Sequence, residues 1–254
     1  MISIEKLKES FMKYTSTFDI KNENIKRKIH HSIRVMEISK QLAEKVFSNE
    51  EDVKLATLIG LLHDVGRFEQ YTKYKTFSDM KSIDHGNLGA EILFERNRIR
   101  DFIEEEQYDK IIKKAIEQHN KYSLDKENLS NNDIIFCEII RDADKLDILY
   151  ECSEIFWKNQ ESKIEKEIAT KQIVEKFKKQ ELIDKKNIKT QVDKIISYIA
   201  FIYDINFKES FKILKEKNFI NKMMNRFQFE DRQTKIQMEE IREYANKYIE
   251  EKIK

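Results

Sequence analysis

Apolar residues recur along this chain at steps of three and four, the spacing that lines one face of an α-helix. We find no alternating strand pattern, no tandem repeat and no low-complexity linker. The periodicity predicts helices over residues 3–15, 24–47, 50–65, 85–97, 106–119, 132–156, 164–177, 189–203, 207–218 and 231–254. We therefore expect an all-α fold.

Helix-breaking residues are scarce and concentrated in one region. The chain has no proline, and its four glycines all fall between residues 60 and 89. Gly66 is predicted to end the third helix, and residues 66–84 are predicted to form a long irregular loop. Its aromatic residues favour an ordered loop: Phe68, Tyr71, Tyr74 and Phe77.

Composition excludes several classes of function. The 48 basic and 47 acidic residues leave a net charge of +1, and they form neither the basic stripe of a nucleic-acid binder nor a polybasic membrane patch. Cys137 and Cys152 lie in apolar helical patterns and are predicted to be buried free thiols of a reducing compartment. No leader or membrane-spanning run is recognised, so we expect a cytoplasmic protein.

Two of the histidines lie on apolar helix faces. His31 shares a face with Val35 and Leu42, whereas the neighbouring His30 shares one with charged and amide residues. His119 ends a stripe that contains Ile116. We therefore predict that His31 and His119 point inward and that His30 faces solvent.

Further candidates come from the segment LLHDVG and from two later helices. His63 and Asp64 follow an apolar run, where a buried carboxylate needs a compensating partner. Asp84 is a predicted N-cap, which places His85 in the first turn of its helix. In the seventh helix, apolar neighbours favour Asp144 over Asp142 as the buried acid.

A lone inward histidine is more often a hydrogen-bonded core residue than a ligand. A set from separate helical segments can instead converge on one point in a bundle, as metal ligands do. Imidazole and carboxylate ligands suit one or two divalent ions of iron, manganese, cobalt, nickel or zinc. The candidate metal ligands are His31, His63, Asp64, His85, His119 and Asp144.

A bridging Asp64 carboxylate leads to a specific arrangement. We predict a first metal held by His31, His63, Asp64 and Asp144, and a second held by Asp64, His85 and His119. Each metal keeps open positions for water or substrate oxygens, as catalysis requires.

These blocks resemble the HD superfamily of metal-dependent phosphohydrolases. The matching segments are HHSIRVMEIS, LIGLLHDVGRFEQ, DHGNLGAEIL, AIEQHN and IIRDADKLDIL, which together span about residues 29–149. The resemblance implies an HD-domain helical bundle with a mononuclear or dinuclear metal centre. The two additional histidines, His85 and His119, make the chain similar to the dinuclear group.

The resemblance also sets expectations for domains. Residues 1–155 are expected to form the metal-binding core, with an N-terminal helix over residues 1–20 packed on it. Residues 156–254 are expected to form a helical C-terminal lobe within the same compact unit.

The expected activity is hydrolysis of a phosphate ester of a nucleotide or related small compound by a metal-activated water. The candidate catalytic residues are Asp64, Arg67 and Lys145, of which Arg67 and Lys145 are also candidate phosphate ligands or else surface charges. One alternative is a mixed-valent di-iron oxygenase resembling myo-inositol oxygenase. A third is a non-catalytic nucleotide sensor. The expected partner is a small phosphorylated substrate, without nucleic acid or membrane, and a homodimer stays open.

Overall fold

The computed structural model describes residues 3–254, and within them the regular elements are all helical. The all-α prediction is thus confirmed. The chain divides into two compact units, Met1–Asp144 and Lys145–Lys254. This division falls within one long helix, Asn131–Glu154. A functional division after residue 155 stays a prediction.

The first unit is built around a pair of packed helices. Its α-helices are α1 (Ile4–Thr15), α2 (Glu23–Val46), α3 (Glu50–Leu62), α4 (Val65–Tyr74), α5 (His85–Ala90), α6 (Asp109–Gln118) and the first part of α7 (Asn131–Glu154). Shorter segments are the 3₁₀ turns Asp79–Lys81, Arg98–Asp101 and Glu106–Tyr108 and the π-helical turn Glu91–Glu95. Helices α2 and α3 pack along one another and bury Val35, Leu42, Leu58 and Leu61 between the helices of this unit.

Most of these helices begin at a side chain that caps the backbone. Ser3, Asn22 and Asn49 accept a backbone N–H of the first turn of α1, α2 and α3. Asp84 caps α5 in the same way, which confirms the predicted N-cap. Asp64 precedes α4 but makes no such hydrogen bond. Its carboxylate is therefore available to other partners.

The predicted loop over residues 66–84 is wrong in its first half, because residues Val65–Tyr74 form α4. The third helix ends at Leu62 instead of residue 65, and Gly66 terminates no helix. Gly66 instead permits close packing of α4 on α5. A Cβ at this position would overlap the carbonyl oxygen of His85 and lie 2.8 Å from the nitrogen of Gly89.

Other predicted boundaries differ where tighter or wider helical turns occur. The helix predicted over residues 85–97 ends at Ala90 and continues as the π turn Glu91–Glu95. The helices predicted over 106–119 and 189–203 each contain a 3₁₀ segment, and the one predicted over 164–177 covers only Lys171–Lys178. Apolar periodicity does not distinguish these neighbouring helix types well.

The second unit is helical throughout its regular elements. These are the end of α7, α8 (Glu161–Ile164), α9 (Lys171–Lys178), α10 (Gln191–Ile199), α11 (Lys208–Lys217), α12 (Phe219–Met224) and α13 (Arg232–Ile253), with 3₁₀ turns at Lys185–Asn187 and Ala200–Asp204. Helix α12 was not predicted. A capping box of Thr190 and Asp193 begins α10, and Asp193 also accepts hydrogen bonds from Thr170.

Both cysteines are buried free thiols, as predicted, one in each unit. Across residues 3–254, no helix combines the length and the apolar character that crossing a bilayer requires.

Candidate metal centre

His63 and Asp64 form the joint between two helices. His63 follows the last residue of α3, and Asp64 precedes the first residue of α4. The Asp64 backbone has φ −106° and ψ 17°, which interrupts the helix and turns the chain. This joint explains why two adjacent polar residues can both lie in the core, with exposed fractions of 0% and 2%.

Four further predicted residues come from separate helices of the first unit. His31 lies within α2, His85 begins α5, His119 follows the last residue of α6, and Asp144 lies in α7. Together with His63, the histidines His31, His85 and His119 are buried, and His30 is exposed as predicted. We call the six residues the His–Asp cluster: His31, His63, Asp64, His85, His119 and Asp144.

The two carboxylate oxygens of Asp64 face different histidines. Oδ2 lies 3.4 Å from Nε2 of His31 and 3.5 Å from Nε2 of His63. Oδ1 lies 3.4 Å from Nε2 of His85 and 3.7 Å from Nε2 of His119. One carboxylate thus stands between two pairs of imidazole nitrogens.

Asp144 adds a second carboxylate on one side. Its Oδ1 lies 3.2 Å from Nε2 of His31 and 3.6 Å from Nε2 of His63. The prediction that Asp144 is more buried than Asp142 is wrong: Asp142 is fully buried, whereas the Asp144 side chain is 17% exposed. Asp144 is nevertheless the acid that contacts the histidines. The few apolar residues that share a helix face with Asp142 or Asp144 do not predict which of the two acids is more buried.

The hydrogen bonds behind the histidines fix which ring nitrogen carries a proton. Nδ1 of His63 donates to the carbonyl oxygen of Gly60 at 2.8 Å, and Nδ1 of His119 donates to that of Ile116 at 2.7 Å. Because a carbonyl oxygen can only accept, both neutral rings keep a lone pair on Nε2. These lone pairs point toward the carboxylates of the cluster.

The spacing of these atoms matches that of ligands around a divalent metal. The Nε2 atoms of His31 and His63 are 3.2 Å apart, and those of His85 and His119 are 3.0 Å apart. Two nitrogens bound at about 2.1 Å to one ion lie about 3.0 to 3.4 Å apart at octahedral or tetrahedral angles. Lone pairs and carboxylates that converge in a buried space repel one another without a cation. The donor set therefore fits a divalent metal.

The same atoms allow more than one grouping. Sets that could each hold an ion are His31, His63 and Asp64; Asp64, His85 and His119; and His63, His119 and Asp144. The first two agree with the predicted partition around Asp64. The third set shows that His63 also lies near His119, a predicted ligand of the second metal. Which residues hold which metal therefore stays a prediction.

Electrostatics favour the protonation states that bind metals. Burial lowers the pKa of His63, and burial together with the charge of Arg67 lowers the pKa of His85 to about 3. Burial raises the pKa of Asp64, but the Lys28 charge and neighbouring histidines outweigh it and hold that pKa well below its usual range. Neutral imidazoles and ionised carboxylates are the forms that coordinate metals.

Lys28 belongs to this centre, although the sequence reasoning missed it. Its Nζ donates to Oδ2 of Asp64 at 2.7 Å, and its side chain is only 12% exposed. It lies three residues before His31 on α2, so the same helical step that places His31 inward could have identified it.

Arg67 lies in the first turn of α4, beside Asp64. Its Nη1 donates to Oδ1 of Asp79 at 3.0 Å, and its Nε lies 3.4 Å from Oδ1 of Asp64. That Nε is buried and makes no hydrogen bond. Arg67 therefore has one unsatisfied donor next to the Asp64 carboxylate.

A group of cations surrounds one aromatic ring near the cluster. The charged groups of Arg27, Lys28 and Arg67 lie 5.7, 5.7 and 5.9 Å from the centroid of Phe77. We call them the Phe77 cations. Phe77 itself stacks on Tyr71 at 4.8 Å.

Lys145 has a partner within the second unit. Its Nζ lies 2.7 Å from Oδ2 of Asp204, and the residue is buried. The alternative that Lys145 is a surface charge is therefore wrong. Its role in phosphate binding stays a prediction.

Comparison with known proteins gives one family match. The family model described as HD domain matches residues 29–149, a segment that contains the whole His–Asp cluster. No curated protein and no solved structure matches the chain.

Proposed function

Because the chain contains an HD domain over residues 29–149, we propose that it is a metal-dependent phosphohydrolase acting on a phosphate ester of a nucleotide or related small compound. The observation that carries this proposal is the convergence of imidazole Nε2 atoms on both oxygens of Asp64. Bound divalent ions would supply Lewis acidity that lowers the pKa of water and neutralises phosphate oxygens.

The chain itself supplies the ligands and the groups that recognise the anion. The six members of the His–Asp cluster are the proposed metal ligands, with Asp64 shared between two positions. Arg67 is the first proposed phosphate ligand, because its buried Nε has no hydrogen-bond acceptor. A phosphate oxygen would supply that acceptor, and the planar guanidinium suits phosphate geometry.

The positive rim of the centre favours an anionic substrate. Two of the Phe77 cations also lie against Asp64: Nζ of Lys28 is 2.7 Å from its Oδ2, and Nε of Arg67 is 3.4 Å from its Oδ1. Such a rim raises the local concentration of phosphorylated compounds. A neutral polyol, the substrate type expected of the oxygenase alternative, gains no such attraction.

The test of the activity is a panel of nucleoside phosphates and sugar phosphates, with protein loaded separately with Mn²⁺, Co²⁺, Fe²⁺ or Zn²⁺. We expect phosphate release that falls about 100-fold or more in Arg67→Lys, because an ammonium cannot reproduce two parallel hydrogen bonds. Lys8→Arg, an exchange on the exposed face of α1, serves as the control.

Two results would favour other functions. Substrate-dependent oxygen uptake by the iron-loaded protein without phosphate release would favour the di-iron oxygenase. If His63→Ala and Asp64→Ala both left metal content and every activity unchanged, the nucleotide sensor would be the better account.

A further inference from the structure

Asp79 is a carboxylate that stands behind one of the proposed metal ligands. It begins the 3₁₀ turn Asp79–Lys81 between α4 and α5. Its Oδ2 accepts a hydrogen bond from Nδ1 of His85 at 2.7 Å. Nε2 of the same ring faces Oδ1 of Asp64 at 3.4 Å. Asp79 and Asp64 thus lie at opposite ends of one imidazole.

The second oxygen of Asp79 is held by α4. Oδ1 accepts hydrogen bonds from Nη1 of Arg67 at 3.0 Å and from Nε2 of Gln70 at 2.8 Å. Gln70 is fully buried, and its Nε2 also lies 2.9 Å from Oγ of Ser82. These contacts leave the Asp79 carboxylate little freedom to turn away from His85.

His85 differs in this respect from two other histidines of the cluster. His63 and His119 each donate Nδ1–H to a backbone carbonyl three residues earlier, in their own helix. His85 donates to a carboxylate from another part of the chain. A charged acceptor increases the electron density on the opposite ring nitrogen more than a neutral carbonyl does. The Nε2 atom of His85 is therefore a stronger electron-pair donor to a metal than the Nε2 atoms of His63 and His119.

We propose that Asp79 is a positioning residue that holds His85 as the Nε2 ligand of the second metal position and selectively strengthens that position. The inference rests on the metal-binding part of the proposed function and not on its phosphate chemistry. Asp79 also links the segment between α4 and α5 both to the proposed ligand His85 and to α4.

The experiment measures metal binding instead of activity. Mn²⁺ is titrated calorimetrically into metal-free wild-type protein, Asp79→Asn, Asp84→Asn and His85→Ala. The binding step lost in His85→Ala identifies the second position. Asp84→Asn is the matched control, because it removes one negative charge near His85 while asparagine remains a good N-cap for α5.

We expect Asp79→Asn to weaken the second step about 10- to 100-fold and to leave the first within about twofold. Asp84→Asn should change both steps by less than about twofold. Equal weakening of both steps in Asp79→Asn with a lower melting temperature would indicate a merely structural role. An unchanged second step, or a wild-type protein that binds only one ion, would also overturn the inference.

A second measurement avoids dependence on the variant's folding. Long-range ¹H–¹⁵N spectra of the zinc-loaded wild-type protein report which imidazole nitrogens carry protons. We expect the proton of His85 on Nδ1 and the metal on Nε2, and the reverse assignment would contradict the inference. A failed phosphatase assay with an intact Asp79 effect would remove the proposed activity while leaving this inference standing.

Discussion

Asp64 occupies a position where an unpaired charge would be costly. Its carboxylate is almost fully buried, Nζ of Lys28 lies 2.7 Å from its Oδ2, and Nε of Arg67 lies 3.4 Å from its Oδ1. The histidine nitrogens that face it add lone pairs and no positive charge when neutral. Lys28, the closer of the two cations, therefore carries most of the compensation in the metal-free protein, and a bound metal would share that role.

Replacing Lys28 should therefore destabilise the metal-free protein more than the metal-bound protein. We expect Lys28→Met to lower the free energy of unfolding of the metal-free protein by about 3 kcal/mol, because the buried carboxylate then keeps only the more distant Arg67 as a cationic partner. Saturating Mn²⁺ should recover most of this loss. Chemical denaturation of both forms measures the difference.

Lys8→Met is the control for that comparison. Lys8 makes an ion pair of similar length with Glu37, 2.9 Å, but both side chains are about half exposed. Its loss should cost no more than about 1 kcal/mol. Equal effects of the two substitutions would contradict the importance assigned to Lys28.

The histidines and acids of the centre and the neighbouring Arg67 could be found from the sequence, whereas Lys28 and Asp79 were missed. The inward direction of His31 and His119 follows from their apolar stripes, and the burial of both residues confirms it. Asp79 could not be found in this way, because it lies in a turn without periodicity. Its place beside His85 exists only once α4 and α5 have packed together.

At the scale of elements, the packing of α4 on α5 positions the centre. Gly66 and Gly89 face one another across this contact, and the carbonyl of His85 approaches Gly66 so closely that no side chain fits. Sequence reasoning treated Gly66 as a helix terminator, since glycine lowers helix propensity. Its role in a close helix contact becomes visible only in three dimensions.

Gly66→Ala and Gly89→Ala form a matched pair that tests this contact. Both substitutions gain about 1 kcal/mol of helix propensity. An alanine Cβ at residue 89 would meet the Ile116 side chain at 3.2 Å, whereas at residue 66 it would overlap backbone. We expect Gly66→Ala to lower the free energy of unfolding by about 3 kcal/mol and Gly89→Ala to change it by less than about 1 kcal/mol.

Denaturant unfolding of the two variants gives this comparison, and metal affinity gives a second one. Because Gly66 lies against the backbone of His85, the Gly66→Ala protein should also bind the second metal more weakly. Equal stabilities for the two variants would show that the helices can separate at little cost, contrary to the close contact described above.

At the scale of the whole molecule, the helical architecture was predictable from the sequence, whereas the position of the boundary between the two compact units was not. Periodic apolar faces identify long helices such as α2, α7 and α13 because those helices bury one side. The division into units depends on contacts between residues distant in the chain. It falls inside α7, where the sequence changes in no visible way.

The buried thiol of Cys137 makes the stability of the folded chain depend on pH. Burial raises the pKa of the Cys137 thiol to about 12, against about 8.5 for a free cysteine. A raised pKa means that the folded chain keeps the proton longer than the unfolded chain. The contribution of this thiol to stability is therefore complete below about pH 8.5 and declines as the pH rises toward about 12.

We expect Cys152→Ser, which leaves Cys137 as the single thiol, to show no thiolate absorbance at pH 9.5 while folded and a full thiolate signal after unfolding in guanidinium. Its reaction with a disulfide reagent at pH 8 should be slow and limited by unfolding. Rapid stoichiometric labelling of the native protein would contradict the burial of Cys137.

The central claim is that Asp64 bridges two metal positions, and metal content measures this most directly. Wild-type protein, His85→Ala and Asp64→Asn are equilibrated with Mn²⁺, desalted and analysed by inductively coupled plasma mass spectrometry. The account predicts two ions per wild-type chain, one in His85→Ala and fewer than one in Asp64→Asn, because both positions share that carboxylate. A wild-type chain without metal, or Asp64→Asn with the full wild-type content, would contradict it.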